Sequence, residues 1–340
     1  MILSVLRIDV NSWNSIRREE RTTLNTTVNH SSLDTSEIVE MIDPRNGVKI
    51  GNYFHPRDKF EVENVIIEPN QGFVYAKKSR VELLRESTRW PIHWSIFSFP
   101  VMPRKRSFNR RTIQKGILLP SNPFYHWLVE DLPATITAME FFPQDVPLIV
   151  TKKPPQYVED FLKTTTRRVV RASKFTNVKK LYMIDKGDSF GWPSPTDLKI
   201  LNNYTAFKSA KKQFKPNSYI YISRLNSRRS PSNEAEIELL FKKHGFIVCY
   251  LESLNLLQQI SLISSSRIIA GIHGAGLSHL IWMQKNSIVL DIVNENFWSE
   301  CYFKAAYISD VRYKSHVYNG VFSNKINLHE LDQKILEVVF

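Results

Sequence analysis

The sequence is poor in the residues that mark several classes of protein. Only two cysteines, Cys249 and Cys301, are present, which excludes a disulfide framework and a zinc site built on cysteines. The 11 glycines and 17 prolines are too few and too scattered for a collagen-like or low-complexity chain. Apolar stretches such as Ile92–Met102 are interrupted by polar residues and are shorter than the roughly 20 residues that span a bilayer. What remains is a globular chain of 340 residues, a length typical of about two domains.

Positive charge is in excess. Lys and Arg number 46 against 33 Asp and Glu, which gives a net charge of +13 and a pI near 9.6. Clusters lie at Arg104–Arg111, Arg167–Lys174 and Lys208–Lys215. Each is either a solvated face or a surface for a polyanion: nucleic acid, an anionic membrane, or a phosphorylated or acidic substrate. The first ten residues lack the basic region and apolar core of a signal peptide, so we expect a cytoplasmic protein.

Short apolar strands alternate with amphipathic helices along the chain. Residues 1–40 are polar and predict a loosely ordered lead-in. The patterns predict strands at 63–68, 72–76, 116–119, 147–150, 168–170, 218–223, 246–250, 267–271 and 287–292. They predict helices at 123–142, 157–163, 233–244, 254–264, 277–283 and 328–338. Such alternation indicates an α/β protein with parallel strands covered on both faces. We expect two Rossmann-like domains, at 1–200 and 201–340.

A glycine loop, Gly271–Leu277 (Gly-Ile-His-Gly-Ala-Gly-Leu), lies between a predicted buried strand and a helix. Glycine lets the backbone approach a ligand closely, and a helix N-terminus offers N–H groups to an anion. His273 can hydrogen-bond a phosphate or a ribose there. The alternative is a tight turn without a ligand. The segment does not fit the dinucleotide fingerprint, which disfavours a nucleotide-cofactor oxidoreductase.

A second candidate follows the first strand of the second half. Arg224 leaves the end of that strand, where its guanidinium can bind a diphosphate bidentately. Arg229 shortly precedes the helix that starts at Asn233 and Glu234. The alternative is a polar loop with surface arginines, in which Asn233 and Glu236 form a capping box.

A third candidate lies on the first predicted long helix. His126 and Glu130 are four residues apart and share a helix face, and Asp131 follows. A histidine oriented by a carboxylate suits deprotonation of a sugar hydroxyl. The alternative is a structural histidine on a half-apolar helix.

These segments, in this order, resemble glycosyltransferase family 61 over roughly residues 110–295. The likeness lies in Tyr125-His126-Trp127 with Glu130 and Leu132-Pro133, in Ile222-Ser223-Arg224 with Arg229 and Asn233-Glu234, in Gln259-Ile260, in Gly271–Leu277, and in Val289-Leu290-Asp291-Ile292. The resemblance implies a GT-B-like fold, in which two Rossmann-like domains face each other across a cleft. The domain at 1–200 would then be the acceptor-side domain, and the domain at 201–340 the nucleotide-sugar-binding domain. It implies inverting, metal-independent transfer from a nucleotide-sugar donor, expected to be a UDP-sugar, with no other cofactor. The acceptor would be a glycan or lipid-linked glycan of a surface polysaccharide such as capsule or lipopolysaccharide.

The resemblance also implies roles for individual residues. His126 is the expected base, with Glu130 or Asp131 orienting it or taking its place. The expected donor-binding residues are Arg224, Arg229, Asn233, Glu234, His273, Gly274, Ala275 and Gly276. The remaining cations would serve anionic acceptors and a peripheral contact with the inner face of the cell membrane. The competing interpretation is a non-catalytic basic protein that binds nucleic acid or another polyanion.

Overall fold

A computed structural model of the chain describes residues 21–28, 37–42, 49–54, 57–70, 72, 74–76, 111–173, 175–184, 193–211, 217–225, 227, 229–297, 299–321 and 323–340. The chain divides into two compact units. One comprises Met1–Val39 and Gly51–Phe190, and the other comprises Glu40–Ile50 and Gly191–Phe340. The sequence places the boundary at 200/201 and does not indicate that Glu40–Ile50 groups with the second unit.

The described strands and helices alternate through both units. The strands are β1 (Arg21–Val28), β2 (Glu37–Ile42), β3 (Lys49–Phe54), β4 (Arg57–Ile67), β5 (Val74–Ala76), β6 (Thr112–Leu118), β7 (Leu148–Thr151), β8 (Val169–Ala172), β9 (Thr176–Ile184), β10 (Ser218–Ile222), β11 (Ile247–Cys249), β12 (Ser266–Ile272), β13 (Ile288–Asn294) and β14 (Arg312–Tyr318). Helix α1 has three consecutive parts, Phe124–His126, a π turn over Trp127–Asp131, and Leu132–Phe141. The other α-helices are α2 (Gln156–Leu162), α3 (Pro195–Asn203), α4 (Thr205–Ala210), α5 (Glu234–Lys243), α6 (Leu256–Ser264), α7 (Cys301–Ile308) and α8 (Leu328–Val339).

The sheet of the first unit has the order β1-β4-β9-β6-β7-β8, with β5 paired to β4. Strand β6 pairs in parallel with β7 and β9, and β7 pairs in parallel with β8. Strand β4 joins the sheet antiparallel to β9. The parallel strands thus follow the 3-2-1-4 order of half a doubly wound fold, and the order reverses between β6 and β9. We call the carboxyl ends of these two strands the first switch point.

Helix α1 follows β6 directly and is buried along most of its length. Residues 125–138 are all buried, so the helix packs on more than one side. The π turn closes through the N–H of Leu132 and the carbonyl of Trp127. Pro133, which has no N–H to donate, comes directly after this turn and provides a local reason for the interrupted α-helical bonding.

The sheet of the second unit has the order β11-β10-β12-β13-β14, and all its strands are parallel. This is the 2-1-3-4-5 order of a doubly wound sheet, and the order reverses between β10 and β12. We call the carboxyl ends of β10 and β12 the second switch point. The core includes the stacked rings of Tyr221 and Phe241, whose centroids are 4.2 Å apart, and the buried side of α8 around Leu331 and Ile335. The strands β2 and β3 pair separately.

The α/β class predicted from the sequence is confirmed, and both sheets are rich in parallel strands. The lead-in prediction for residues 1–40 is wrong at Arg21–Val28, where β1 pairs antiparallel with β4. Its Thr-rich sequence suits a strand once a partner supplies the hydrogen bonds. Residues 1–20 lie outside the described part of the chain.

Several elements escape the sequence pattern. Lys179 and Lys180 interrupt the apolar signal of β9, and β14 is a largely polar edge strand. The helices α3, α4 and α7 are also missed. The helix predicted at 277–283 is found as a 3₁₀ helix over Ala275–Trp282.

The basic cluster Arg167–Lys174 is not a simple solvated face. Arg167 is buried, and its guanidinium donates hydrogen bonds to main-chain carbonyls after α1, at 2.7 Å to Pro143, 2.7 Å to Val146 and 3.0 Å to Phe142. Arg171 binds the carboxylate of Glu159 at 2.7 Å and 2.8 Å. These two cations therefore serve the fold. Lys174 and the cluster 104–110 lie outside the described residues.

In the part of the chain that the structure describes, no helix is both long and apolar enough to cross a membrane.

Candidate active site

A histidine–glutamate pair occupies the start of α1 beside the first switch point. The Nδ1 atom of His126 lies 2.7 Å from Oε1 of Glu130, and both residues are buried. Their spacing of four residues places both side chains on one side of the helix, as the sequence predicts. The carboxylate therefore holds the ring in one orientation and fixes which nitrogen faces it.

Asp131, the other predicted carboxylate, has different partners. Its Oδ2 accepts a hydrogen bond of 2.6 Å from the side-chain amide of Asn122, and the residue is fully buried. The hydroxyl of Tyr157 donates to the carbonyl of Asn122 at 2.5 Å. Asp131 also lines a small concavity between β6, β9 and α1, together with Leu118 and Tyr182. The two adjacent carboxylates thus have different partners, because Glu130 binds His126 and Asp131 binds Asn122.

The second unit places Arg224 at the second switch point. Ile222 and Gly271 are paired neighbours at the ends of β10 and β12, so the residues that follow them lie at the same sheet edge. The guanidinium of Arg224 donates to the carbonyl of His273 at 2.7 Å and to Oγ of Ser227 at 3.0 Å. Burial, and then the charge of Arg229, lower the pKa of Arg224.

Glu234 fixes the main chain at this point. Its Oε1 accepts hydrogen bonds of 2.8 Å from both the N–H of Arg224 and the hydroxyl of Tyr221. The side chain is buried, and burial raises the pKa of Glu234. The preceding residue, Asn233, binds both main-chain polar groups of Ile326, at 2.9 Å and 3.0 Å. Asn233 and Glu234, which lie at the start of α5 and are predicted to bind the donor, therefore bind other groups of the protein.

The glycines of the loop are explained by close approaches. A Cβ atom on Gly274 would overlap the guanidinium of Arg224. A Cβ on Gly271 would lie 3.1 Å from the carbonyl oxygen of Ile222, and one on Gly276 would lie 3.0 Å from its Cγ2. The loop thus lets Arg224 cross directly over it and lets β10 and β12 pack tightly. Ala275 follows as the first residue of the 3₁₀ helix Ala275–Trp282.

His273 has a carboxylate partner, Asp291, to which the sequence analysis assigns no role in the site. Its Nδ1 lies 2.8 Å from Oδ2 of Asp291, and the hydroxyl of Tyr313 donates to the same oxygen at 2.8 Å. The ring of Tyr302 packs against the imidazole, with centroids 4.8 Å apart. Burial, and then the neighbouring Cys301 and Asp291, raise the pKa of Tyr302 well above its ordinary value.

The second predicted arginine lies in the same neighbourhood. The guanidinium carbon of Arg229 is 5.1 Å from the ring centroid of Phe297, and this ring is 6.3 Å from that of His273. Phe297 is 45% exposed, which leaves part of an aromatic face open beside two arginines and a histidine.

The structure therefore brings together the residues predicted at the end of β10 and in the glycine loop. Sequence reasoning missed Asn122, Tyr302 and Tyr313, and it quoted Asp291 only as part of a strand pattern. Asn122 was available as a candidate helix cap next to Pro123. Nothing local marks the two tyrosines, because their positions depend on how α7 and β14 pack.

Fold and site together define an α/β protein whose second unit gathers arginines, a histidine and a glycine loop where the strand order of a parallel sheet reverses. Residues 124–290 match the model of the family Glycosyltransferase 61. The match begins at α1 and ends within β13, so it includes His126, Arg224 and the glycine loop but neither Asn122 nor Asp291. Over these residues the chain is similar to glycosyltransferase family 61, which confirms the predicted resemblance. The matched family supports a glycosyltransferase activity. In a comparison with curated proteins, none matches the chain.

Proposed function

We propose that this protein is an inverting glycosyltransferase that moves a sugar from a nucleotide-sugar donor to a hydroxyl group of a glycan or lipid-linked glycan. The proposed donor is a UDP-sugar, and the proposed pathway is the synthesis of a surface polysaccharide. The observation that carries the proposal is the fixed position of Arg224 over the glycine loop at the second switch point. Ligands of open parallel sheets bind outside the carboxyl ends of the strands, where the strand order reverses.

The second unit has the groups that a leaving diphosphate requires. Arg224 is held by its main-chain bond to Glu234 and by two side-chain bonds, so its charge is oriented before a ligand arrives. Arg229 adds a second positive charge nearby. Preorganised cations and N–H donors stabilise the charge that develops as the bond from the sugar to the diphosphate breaks. We assign Arg224, Arg229 and the segment His273–Gly276 to the donor diphosphate and ribose.

Asn233 and Glu234 act indirectly in this proposal. Glu234 positions Arg224 through the main chain, and Asn233 anchors the start of α5 to Ile326. Because arginines and a histidine supply the positive charge, the proposed reaction uses no metal ion. Chelation with EDTA should therefore leave the rate unchanged.

The first unit supplies the proposed base. His126 is oriented by Glu130, and a histidine in this state can take the proton of the acceptor hydroxyl as that oxygen attacks the anomeric carbon. The carbon–oxygen bond to the diphosphate breaks in the same step, and its electron pair leaves with the diphosphate. Asp131 lines the neighbouring concavity and is bound by Asn122, and we assign this pair to the acceptor side. A cytoplasmic location at the inner membrane face fits a lipid-linked acceptor.

A panel of nucleotide sugars tests the donor assignment. We expect one nucleotide class to raise the melting temperature, because a ligand that binds only the folded state stabilises it. The variant Arg224→Ala should lose this shift. Arg267→Ala, which removes an exposed arginine of β12, should retain it.

The same panel separates the proposal from polyanion binding. A nucleic-acid-binding protein would bind DNA or RNA with an affinity that falls steeply with salt. Tight nucleic-acid binding, with no melting shift for any nucleotide sugar, would overturn the proposed function. Product analysis by mass spectrometry and NMR would then establish the acceptor and whether the anomeric centre is inverted.

A further inference from the structure

We propose that His273 binds the donor diphosphate as an imidazolium ion, and that Asp291 and Tyr313 are positioning residues that hold this charged ring. The proposal rests on the proposed function, because it concerns the same donor site. It adds a proton that is taken up when the diphosphate binds.

The first step concerns the charge of Asp291. This residue is fully buried, and a buried carboxylate without a cation costs several kcal/mol. Its Oδ2 accepts hydrogen bonds from His273 and Tyr313, and its Oδ1 has no hydrogen-bond partner among the described residues. Tyr313 is a neutral donor. In the described part of the chain, the side-chain partner of Asp291 that can carry positive charge is His273, so Asp291 would stabilise a charged ring once a ligand favours it.

The second step concerns the orientation of the ring. Asp291 engages Nδ1, so Nδ1 carries a proton in either charge state of the ring. The ring is packed against Tyr302, and the main-chain carbonyl of His273 is bound by Arg224. Nε2 makes no bond to a described residue and is the ring atom left for a ligand. A protonated Nε2 donates, as phosphate oxygens require, whereas a neutral ring would present a lone pair to an anion.

The third step concerns the groups around the ring. The titratable and charged groups around the ring come from β13, β14, α7 and the loop after β10. Asp291 and Tyr302 contact the ring, Tyr313 binds Asp291, and Arg224 binds the main chain of His273. Cys301 lies beside Tyr302, and Arg229 lies beside Arg224. The arginines oppose protonation in the free protein. A bound diphosphate reverses this balance, because its negative charge pairs with both the arginines and the imidazolium ion. Binding and protonation are therefore linked.

The proton remains on His273 during transfer. As the anomeric carbon–oxygen bond breaks, the electron pair stays on the leaving oxygen, and the Nε2–H donor stabilises the added charge by hydrogen bonding. The acceptor proton goes to the base of the first unit. No proton passes from His273 to the product in this step.

Calorimetric titration with UDP, GDP and dTDP at pH 8 tests the linkage. Measuring the binding heat in buffers of different ionisation enthalpy gives the number of protons taken up. We expect the full chain to take up a substantial fraction of one proton more than His273→Gln, a difference that cancels protons exchanged by the ligand itself. Affinity of the native protein should fall as the pH rises, by at most about tenfold per pH unit, which is the limit for one linked proton.

Two variants test the positioning role. Asp291→Asn should reduce the proton uptake and weaken UDP binding about tenfold, while Tyr313→Phe should retain the uptake with a smaller loss of affinity. The control is Asp332→Asn, which breaks another histidine–aspartate contact of the same unit, the 2.6 Å pair with His244. It should bind UDP with native proton uptake.

The outcomes separate the two proposals. Native UDP binding without proton uptake, or unchanged uptake in Asp291→Asn, would overturn the role of His273 and leave the donor site standing. Absence of binding by every nucleoside diphosphate would overturn the proposed function and this inference with it. Since His273→Gln can fail to fold, the histidine ring is also followed by NMR in the native protein. UDP should move the His273 signals towards those of imidazolium, and unchanged signals would contradict the proposal.

Discussion

Gly274→Ala tests whether the crossing of Arg224 over the glycine loop creates the donor site. The added methyl group would occupy space now filled by the guanidinium, which must then move. Arg224 donates to the carbonyl of His273 at 2.7 Å, and this bond would break or lengthen when the side chain is displaced. The backbone of Gly274 is extended, with φ at 167°, so the substitution adds a steric contact without backbone strain.

The magnitude follows from these contacts. Inserting a methyl group into a packed site costs about 1–3 kcal/mol of folding stability, which the free and the bound protein share, so the change in affinity comes from the displaced guanidinium. Loss of a hydrogen bond from a charged donor costs about 1.5–3 kcal/mol. Because Arg224 can adjust partly, we expect a net loss of roughly 1.4–2.8 kcal/mol in UDP binding, which is about 10- to 100-fold in affinity.

The assay is a double-mutant cycle measured by calorimetry. Gly274→Ala should weaken UDP binding strongly in the native background and have little effect in the Arg224→Ala background, because the contact that it disturbs is already absent. Gly245→Ala is the matched control. Gly245 has φ near +80° with no atom within 4 Å of an added Cβ, so this change strains the backbone at the end of α5 without touching the site. It should lower stability and leave UDP affinity unchanged.

Additive losses in the cycle would refute the reasoning. They would mean that Gly274 acts on the ligand independently of Arg224. Equal affinity losses in Gly245→Ala and Gly274→Ala would show that general destabilisation, and not displacement of the guanidinium, explains the effect.

Three further predictions concern the base, the packing of α1 and the acid stability. His126→Gln should lower kcat by about 10²–10⁴-fold and Glu130→Gln by less, and both should leave UDP affinity unchanged. The control His329→Gln changes an exposed histidine and should keep native kcat. Native kcat in His126→Gln would remove His126 from the mechanism. Arg167→Met should lower the free energy of unfolding by about 3 kcal/mol or more, because it leaves several buried carbonyls unpaired, and a loss under about 1 kcal/mol in urea unfolding would contradict this. Burial lowers the pKa of His279 from 6.5 to about 3. The unfolded state then binds more protons between these values, so stability falls as pH falls through this window, by up to about 1.4 kcal/mol per pH unit. His279→Leu should flatten the slope in urea titrations from pH 4.5 to 7, and an unchanged slope would assign it to other groups.

The local parts of the fold were open to sequence reasoning because their signals lie within a few residues. Pro123 before an apolar run predicts the start of α1, and Gly245 predicts the end of α5. The buried strands β10, β12 and β13 have the continuous apolar runs of parallel strands, and each is found where the pattern predicts it. His126 and Glu130 pair as their spacing indicates, since a helix brings residues four apart together.

The elements that depend on distant partners were not predictable in this way. Strand β9 inserts between β4 and β6, and its lysines lie on exposed positions that break the apolar pattern. Arg167 belongs to a basic run in the sequence, yet its guanidinium is bound by carbonyls that follow α1. Composition cannot distinguish such an arginine from a solvated one.

The sequence by itself determined the α/β class and pointed to the matching family and to three candidate segments, because each depends on short-range pattern and spacing. Only the tertiary structure decided which side chains meet. Strand order places Arg224 against the glycine loop, although 49 residues separate it from His273. Parallel pairing of β13 and β14 brings the hydroxyl of Tyr313 within hydrogen-bond distance of Oδ2 of Asp291. The basic residues noted in the composition therefore include cations that bind groups of the fold, such as Arg167, and cations oriented at the second switch point, such as Arg224. Hydrogen-bond partners, and not net charge, make that distinction.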